Sequence, residues 1–395
     1  MKANSDKAVL IIDRFPFYIG AISEGSNPAI PAFLPFEIYV DDIWCIPRLV
    51  VTEQIKSALN DAYAHGSMLS TPLGSSKLST ARLNEFVQNL LDILGEDLTG
   101  KFLVEVGAGE GGLLHAIKCL GGQVLGFEIG PQANIGIAKY DLNIIQDEFN
   151  PKFFDPESID CVYSAGCLEH MFDPVGFIDQ AWSSLRNNGL FFHSVPNSKF
   201  IFEEFDVQGF AHEHVNYFTP ENSVRLLEAR GYVNCGFALS NAGNEMFIYG
   251  FKDSTACKTM PCCMDTNAYE REVNVLLTFD ENISSTLSKL THHLRELSKI
   301  NSIGFYAGGH IFARLSSIEN VRFFDGDSAK WGKRWLIGQR CIEDPRVLVN
   351  DPVDVLIVAS NHYYDQIHSF LNTEVGIPST IRVTSLKEIC LMDLN

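Results

Sequence analysis

Residues 102–114 read Phe-Leu-Val-Glu-Val-Gly-Ala-Gly-Glu-Gly-Gly-Leu-Leu, an apolar strand-like run that breaks into glycines at Gly107, Gly109, Gly111 and Gly112 and resumes as a helix. Glycine has no Cβ, so the backbone there turns sharply and approaches a ligand closely, while the following helix offers unpaired N–H groups at its N-terminus. A strand, glycine turn and helix in this order belong in an α/β sheet that docks a nucleoside-containing cofactor. The spacing Gly107-x-Gly109-x-Gly111 is one residue tighter than the dinucleotide fingerprint, which Gly112 formally completes as well. Spacing alone therefore leaves two cofactor chemistries open. Glu105, two residues before the first glycine, tilts the reading, because a carboxylate there holds a cationic amino group and repels a pyrophosphate.

The second strand, residues 123–128, ends in Glu128, placed to accept hydrogen bonds from ribose hydroxyls. Asp147 closes the segment 143–147, and residues 159–164 make another strand that ends near Gly166. This series of strand ends resembles the class I S-adenosylmethionine-dependent methyltransferases. The resemblance implies that Glu105 with Gly107, Ala108, Gly109 and Gly111 holds the methionine part of that cofactor. It further implies Glu128 at the ribose, Gln146 with Asp147 at the adenine edge, and Ser164 and Gly166 in the rest of the cofactor site.

Composition adds limits. A chain of 395 residues exceeds one ordinary core, so two or three domains are expected. Hydrophobic residues at 46% and charged residues at 20% describe a globular protein. No apolar run reaches the length of a membrane helix, and no signal-peptide cleavage pattern is present. A formal charge of −19 argues against nucleic acid as substrate or partner, since a phosphate backbone needs a basic surface. The ten cysteines are scattered, with Cys262 and Cys263 adjacent and no C-x-x-C spacing. Reduced thiols in a cytoplasmic protein are the expectation, and a structural zinc knuckle is excluded.

Four parts follow along the chain. Residues 1–97 mix short strand-like runs (8–12 and 37–40) with proline-rich loops and a helix over 82–94, and read as a cap or substrate-recognition region. Residues 98–251 alternate strands and helices, including a helix over 175–185 ended at Asn188-Gly189, a strand over 189–195 and a helix over 224–231. Residues 252–300 form a polar linker and a long helix from about 269 to 299. Residues 301–395 start a second strand–glycine-turn–helix unit at 303–310 and add buried strands at 321–327 and 353–359, a smaller Rossmann-like domain whose own glycine turn is a candidate nucleotide site.

The chemistry is expected where the central strands end. Ser164-Ala-Gly-Cys-Leu-Glu-His-Met-Phe-Asp-Pro174 follows one strand, and Phe210-Ala-His-Glu-His-Val-Asn-Tyr-Phe-Thr219 carries histidines around a carboxylate. Imidazole titrates near neutrality and takes a proton from a carbon or hydroxyl acid, and an adjacent Glu orients it and stabilises the charge it gains. His214 with Glu213 is the leading general base, and His170 a second acid–base or orienting group. His170, Asn216 and Tyr217 are candidates to stabilise an oxyanion. As a metal site His212-Glu213-His214 lacks a clear third ligand, so no metal is expected.

With the Ala-x-x-Leu-x-His loop (Ala165, Leu168, His170) and the Phe-x-x-Glu-His-x-x-Tyr-Phe segment (Phe210, Glu213, His214, Tyr217, Phe218), the chain resembles the bacterial sugar C-methyltransferases. Members methylate C3 of nucleotide-linked 4-keto-deoxysugars. The resemblance implies a small-molecule partner of the nucleotide-sugar class and the roles already given to Glu213, His214 and His170, with Tyr63 of Asp-Ala-Tyr-Ala-His-Gly-Ser67 matching an N-terminal active-site tyrosine. The chain departs from that family in lacking the N-terminal zinc cysteines, Cys45 being their one trace, and in carrying Ala211 where a tyrosine is placed. An O-methyltransferase of the same fold, an NAD-dependent oxidoreductase resting on Gly112 and on the second glycine turn, and a binding protein without turnover stand as alternatives.

Overall fold

The computed structural model describes residues 8–17, 20–23, 25, 30–63, 73–74, 77–204, 209–259, 265–307, 321–336 and 339–391. These residues form two compact units, one built from 1–11, 37–204 and 212–276, the other from 12–36, 205–211 and 277–395.

Near the N-terminus lie strands β1 (Leu10–Pro16), β2 (Ala21–Ile22), β3 (Phe33–Val40) and β4 (Pro47–Leu49), then helices α1 (Glu53–Tyr63) and α2 (Lys77–Leu94). The first unit is organised by a seven-stranded sheet. In chain order its elements are β5 (Phe102–Val106), α3 (Gly112–Cys119), β6 (Gln123–Phe127), α4 (Ala133–Tyr140), β7 (Ile144–Ile145), β8 (Ile159–Ala165), α5 (Pro174–Ser184) and β9 (Leu185–Pro196). After the short helix α6 (Ser198–Glu203) come α7 (Pro220–Ala229), β10 (Tyr232–Leu239) and β11 (Glu245–Lys252).

The strand order is β10-β11-β9-β8-β5-β6-β7, parallel from β9 through β7, with β11 antiparallel to both its neighbours. The order reverses between β5 and β8, and in such sheets a ligand binds beyond the carboxyl ends of the strands at that reversal. Both faces are covered, which is why the central strands read as unbroken apolar runs: Leu190, Phe191 and Phe192 of β9 are all fully buried. Phe177 and Ile178 of α5 pack on one face with Val162 and Phe191. Leu113, Leu114 and Ile117 of α3, together with Phe86 and Leu90 of α2, pack on the other with Tyr163 and Phe192. The helix that the sequence places in the N-terminal region thus covers the cofactor sheet.

The helix expected over 175–185 spans Pro174–Ser184, and the Asn188-Gly189 stop signal falls inside β9, which begins four residues before the expected strand at 189–195. Leu185 turns extended (φ −67°, ψ 139°) and is fully buried opposite Ile159, so its side chain enters the core as a strand residue. Asn188 takes φ +61°, and the register of β8 against β9 shifts between Ile159 and Cys161. The helix begins as its sequence dictates, with Pro174 in the first turn and the Asp173 carboxylate accepting from the Gly176 N–H at 2.9 Å. Thr219 and Asn222 form a reciprocal cap on α7.

In the second unit β12 (Ile303–Tyr306), β13 (Val321–Phe324), β15 (Ile342–Glu343), β16 (Val355–Val358) and β17 (Arg382–Ser385) make an all-parallel five-stranded sheet in the order β15-β13-β12-β16-β17. The short β14 (Arg334–Trp335) pairs antiparallel with β2, which is why residues 12–36 fold with the C-terminal sheet. The expected long helix is α8 (Thr266–Ser298). The glycine turn proposed at Gly308-Gly309, the loop after Tyr63 and the Cys262-Cys263 pair lie outside the described residues. Among the described residues no helix is long and apolar enough to cross a membrane.

Candidate active site

The turn after β5 is tied to β6, since the N–H groups of Gly107 and Ala108 both donate to the carbonyl of Phe127, at 2.8 and 2.9 Å. The glycines that follow divide by what surrounds them. A Cβ at Gly111 (φ +75°) would lie 2.5 Å from Leu142 Cδ1, and one at Gly112 would lie 2.3 Å from the Leu73 carbonyl oxygen. Those two positions serve packing. At Gly109 (φ +53°) a Cβ would meet nothing within 4 Å, so this residue faces open space at the sheet's carboxyl end. Of the two features behind the nicotinamide alternative, Gly112 serves packing against Leu73, and the second glycine turn lies outside the described residues.

Glu128 stands just beyond β6, nearly buried, with Oε2 accepting from the Gly109 N–H at 2.8 Å and Oε1 from the Gly130 N–H at 2.7 Å. Each oxygen keeps a second lone pair, so the carboxylate can both hold the glycine turn and accept from a diol. Gln146 and Asp147 are exposed immediately after β7, whose Ile145 carbonyl accepts from the Glu128 N–H at 3.1 Å. Glu105 is placed differently from Glu128. Its carboxyl is buried, accepts from the Tyr163 hydroxyl at 3.4 Å and from the Leu114 N–H, and burial holds its pKa well above the usual carboxylate range. Its contacts pin the start of α3 from beneath. Ser164 is also turned inward: its hydroxyl shares a 2.5 Å hydrogen bond with His193 Nδ1, and both residues are fully buried. Gly166 (φ +70°) turns the chain out of β8, its N–H donating to the Ser194 carbonyl at 3.0 Å.

Burial pushes the His193 imidazole down to about 3. An unfolded histidine takes up a proton near pH 6.5, so the unfolded state binds more protons below that pH and stability falls as the pH drops toward 3. Between pH 8 and pH 5 this one group is expected to remove about 2 kcal/mol. Urea unfolding of His193→Gln should lose that part of the acid sensitivity; an unchanged difference between the two pH values would contradict it.

The histidines come together because two chain segments are laced side by side. A single 3-10 turn, Leu168–His170, follows β8. The Glu169 carbonyl accepts from the N–H groups of Val215 and Asn216 at 2.8 and 3.0 Å. The Asn216 side-chain amide donates to the carbonyls of Met171 at 2.7 Å and Glu169 at 3.3 Å. On the far side of 215–217, Leu49 N–H donates to Val215 and Tyr217 N–H to Pro47, each at 2.9 Å. The His170 and His214 rings consequently meet edge to face, centroids 5.2 Å apart.

His170 Nδ1–H donates to the Glu213 carbonyl at 2.9 Å, and the Tyr63 hydroxyl lies 3.4 Å from the same nitrogen. Burial, with His214 adding to it, pushes His170 down to about 3, so its ring is neutral. Tyr63 donates to the Glu213 carboxylate, and burial followed by the Glu213 charge holds its phenol well above the ordinary range. Glu169, 3% exposed, is pushed up to about 8 by burial, with Glu245 and Glu213 acting in the same direction and Arg82 against it. Arg82 and Glu245 pair beside Ala165 and Ser194 in a small cleft at the ends of β8 and β9.

All four residues expected to do chemistry, Tyr63, His170, Glu213 and His214, therefore fall in one cluster, but their roles shift. Glu213 contacts Tyr63 and His170, so sequence adjacency to His214 does not decide which ring it orients. Asn216 spends its amide protons on the 168–171 carbonyls and is a positioning residue, which corrects its expectation as an oxyanion donor. His170, neutral with its proton on Nδ1, has none on Nε2 to give. Glu169 was visible in the sequence only as part of a Leu-Glu-His turn; its burial beside His170 is a tertiary fact.

Comparison with known proteins finds relatives for the middle of the chain. A methyltransferase-domain family model matches residues 79–235. A ubiquinone biosynthesis O-methyltransferase of Methylobacterium sp. (strain 4-46) is 29% identical in an alignment of length 163 that covers 36% of this chain and 64% of that protein. The chain thus spans just under two thirds of the length of that curated relative. A solved S-adenosylmethionine-dependent methyltransferase from Aquifex aeolicus is 18% identical with a TM-score of 0.36, covering 43% of this chain and 92% of that one. One from Archaeoglobus fulgidus is 16% identical with a TM-score of 0.36, covering 49% and 98%. Residues 79–235, on their Rossmann-like α/β sheet, thus match a methyltransferase-domain model. The open face of Gly109 beside the Glu128 carboxylate fits a nucleoside.

Proposed function

We propose that this chain, carrying a class I methyltransferase domain, methylates a small molecule, and that the acceptor is a carbon next to the ketone of a nucleotide-linked 4-keto-deoxysugar. The observation that carries the reading is the Tyr63–His170–Glu213–His214 cluster, held at the carboxyl end of the methyltransferase sheet by the lacing of 215–216 to 168–171. Bound S-adenosylmethionine supplies an electrophilic methyl group. Gly109 and Glu128 would hold it, with Gln146 and Asp147 at its outer edge. His214 takes the proton α to the ketone, which makes that carbon a nucleophile. The Tyr63 phenol stays protonated and, once substrate is bound, turns its one O–H from the Glu213 carboxylate to the oxygen on which negative charge develops. His170 and Glu213 set the position of Tyr63, and Asn216 sets that of His170.

A second reading is O-methylation, favoured by the relative's being an O-methyltransferase. There the same His214 removes a hydroxyl proton. Incubation with methyl-¹³C-labelled cofactor and a panel of 4-keto nucleotide sugars, followed by NMR of the product, separates the two. A methyl coupled to a ring carbon is expected. An oxygen-bound methyl selects the second reading, and no labelled product from any ketosugar removes the first.

A further inference from the structure

Beyond methyl transfer, the cluster has the make-up of a metal site. We propose that Glu169, His170 and His214 form a binding site for one divalent cation of the zinc class. One ligand atom from each of the three lies within 4.8 Å of the others, and Glu169 Oε1 is 3.7 Å from His170 Nε2. Around a tetrahedral zinc with ligands at about 2.1 Å, ligand atoms sit about 3.4 Å apart, so side-chain adjustments of an ångström or so close the site.

Two further observations point to a ligand. His170 donates its Nδ1 proton to the Glu213 carbonyl, which leaves the lone pair on Nε2, the nitrogen nearer Glu169. A backbone carbonyl on the far nitrogen is how metal-ligating histidines are oriented. Glu169 is 3% exposed, and its Oε2 meets no hydrogen-bond donor among the described residues. A buried polar oxygen without a donor is costly, and a cation that takes the place of the acid's proton removes that cost. Two imidazoles with one carboxylate suit zinc over magnesium or calcium, which take all-oxygen sets, and they leave a fourth position open. The backbone bonds from Val215 and Asn216 to the Glu169 carbonyl hold the ligand-bearing segments together before any ion arrives.

The consequence for activity rests on the methyl-transfer reading: an ion here takes the His214 lone pair that accepts the substrate proton, so zinc switches transfer off and a chelator restores it. Metal-stripped full-length protein is titrated calorimetrically with zinc chloride, and separately with cobalt(II) to record its visible spectrum. One equivalent of zinc is expected to bind, with the intense bands of four-coordinate cobalt. Glu169→Gln, which keeps the shape of the buried side chain, and His170→Ala should each weaken zinc by at least about tenfold, with thermal melting confirming that both fold. Absence of stoichiometric zinc binding by the parent protein, or equal affinity in both folded variants, overturns the site. Binding is read without turnover, so that failure would leave the methyl-transfer reading intact, while absent transfer by zinc-free protein would count against that reading alone.

Discussion

His214→Ala is expected to lower methyl transfer by about 10³-fold, within the range of about 10²–10⁴ that a positioned general base contributes. The effect should fall on kcat, because the ring moves a proton and does not hold the cofactor. S-adenosylhomocysteine affinity, measured calorimetrically, should change by less than about twofold, since Gly109 and Glu128 form a separate group of contacts. His214 is nearly buried, so its removal leaves space beside His170. His214→Gln fills most of that space without a basic nitrogen and should be as inactive as the alanine variant. Either protein retaining more than about a tenth of the parent rate would move the base elsewhere, with Tyr63 and His170 the next to test.

Glu128→Ala should weaken S-adenosylmethionine binding by about 10²-fold, or about 2.7 kcal/mol. The carboxylate makes charge-assisted bonds to the N–H groups of Gly109 and Gly130, at 2.8 and 2.7 Å, and bonds of that kind contribute about 1.5–3 kcal/mol each. Alanine removes both, freeing the one glycine of the turn that faces open space, and removes the acceptors for a ribose diol as well. Glu128→Gln keeps one acceptor oxygen and should show an intermediate loss, about tenfold. Gly109→Asn meets no protein atom at its Cβ and, among side-chain-bearing residues, best tolerates the φ of +53° there, so it should fold while obstructing the cradle and match the alanine variant in affinity. Unchanged calorimetric affinity in both Glu128→Ala and a folded Gly109→Asn would place the cofactor elsewhere.

Local rules made much of this fold readable in the chain. Strand β5, the glycine turn and α3 follow from an apolar run, positive-φ glycines and a helical repeat, all set within a few residues. The start of β9 was not readable, because Leu185 leaves the helix for the strand only when it must point into a core whose other wall is Ile159. Ser164 and Glu105 illustrate the same limit. Each ends or flanks a strand where a cofactor contact is expected, yet alternation along the strand turns one to His193 and the other to Tyr163.

By itself the sequence determined the cofactor sheet, the glycine turn and the set of side chains able to move a proton, because these depend on residue type and short spacing. Only the tertiary structure decided which glycine faces open space, that Asn216 positions its neighbours, and that Glu169 lies buried against His170. Those outcomes depend on segments far apart in the chain, residues 47–49, 168–171 and 213–217, being laced together. No local pattern encodes a contact whose free energy comes from excluding water between distant residues.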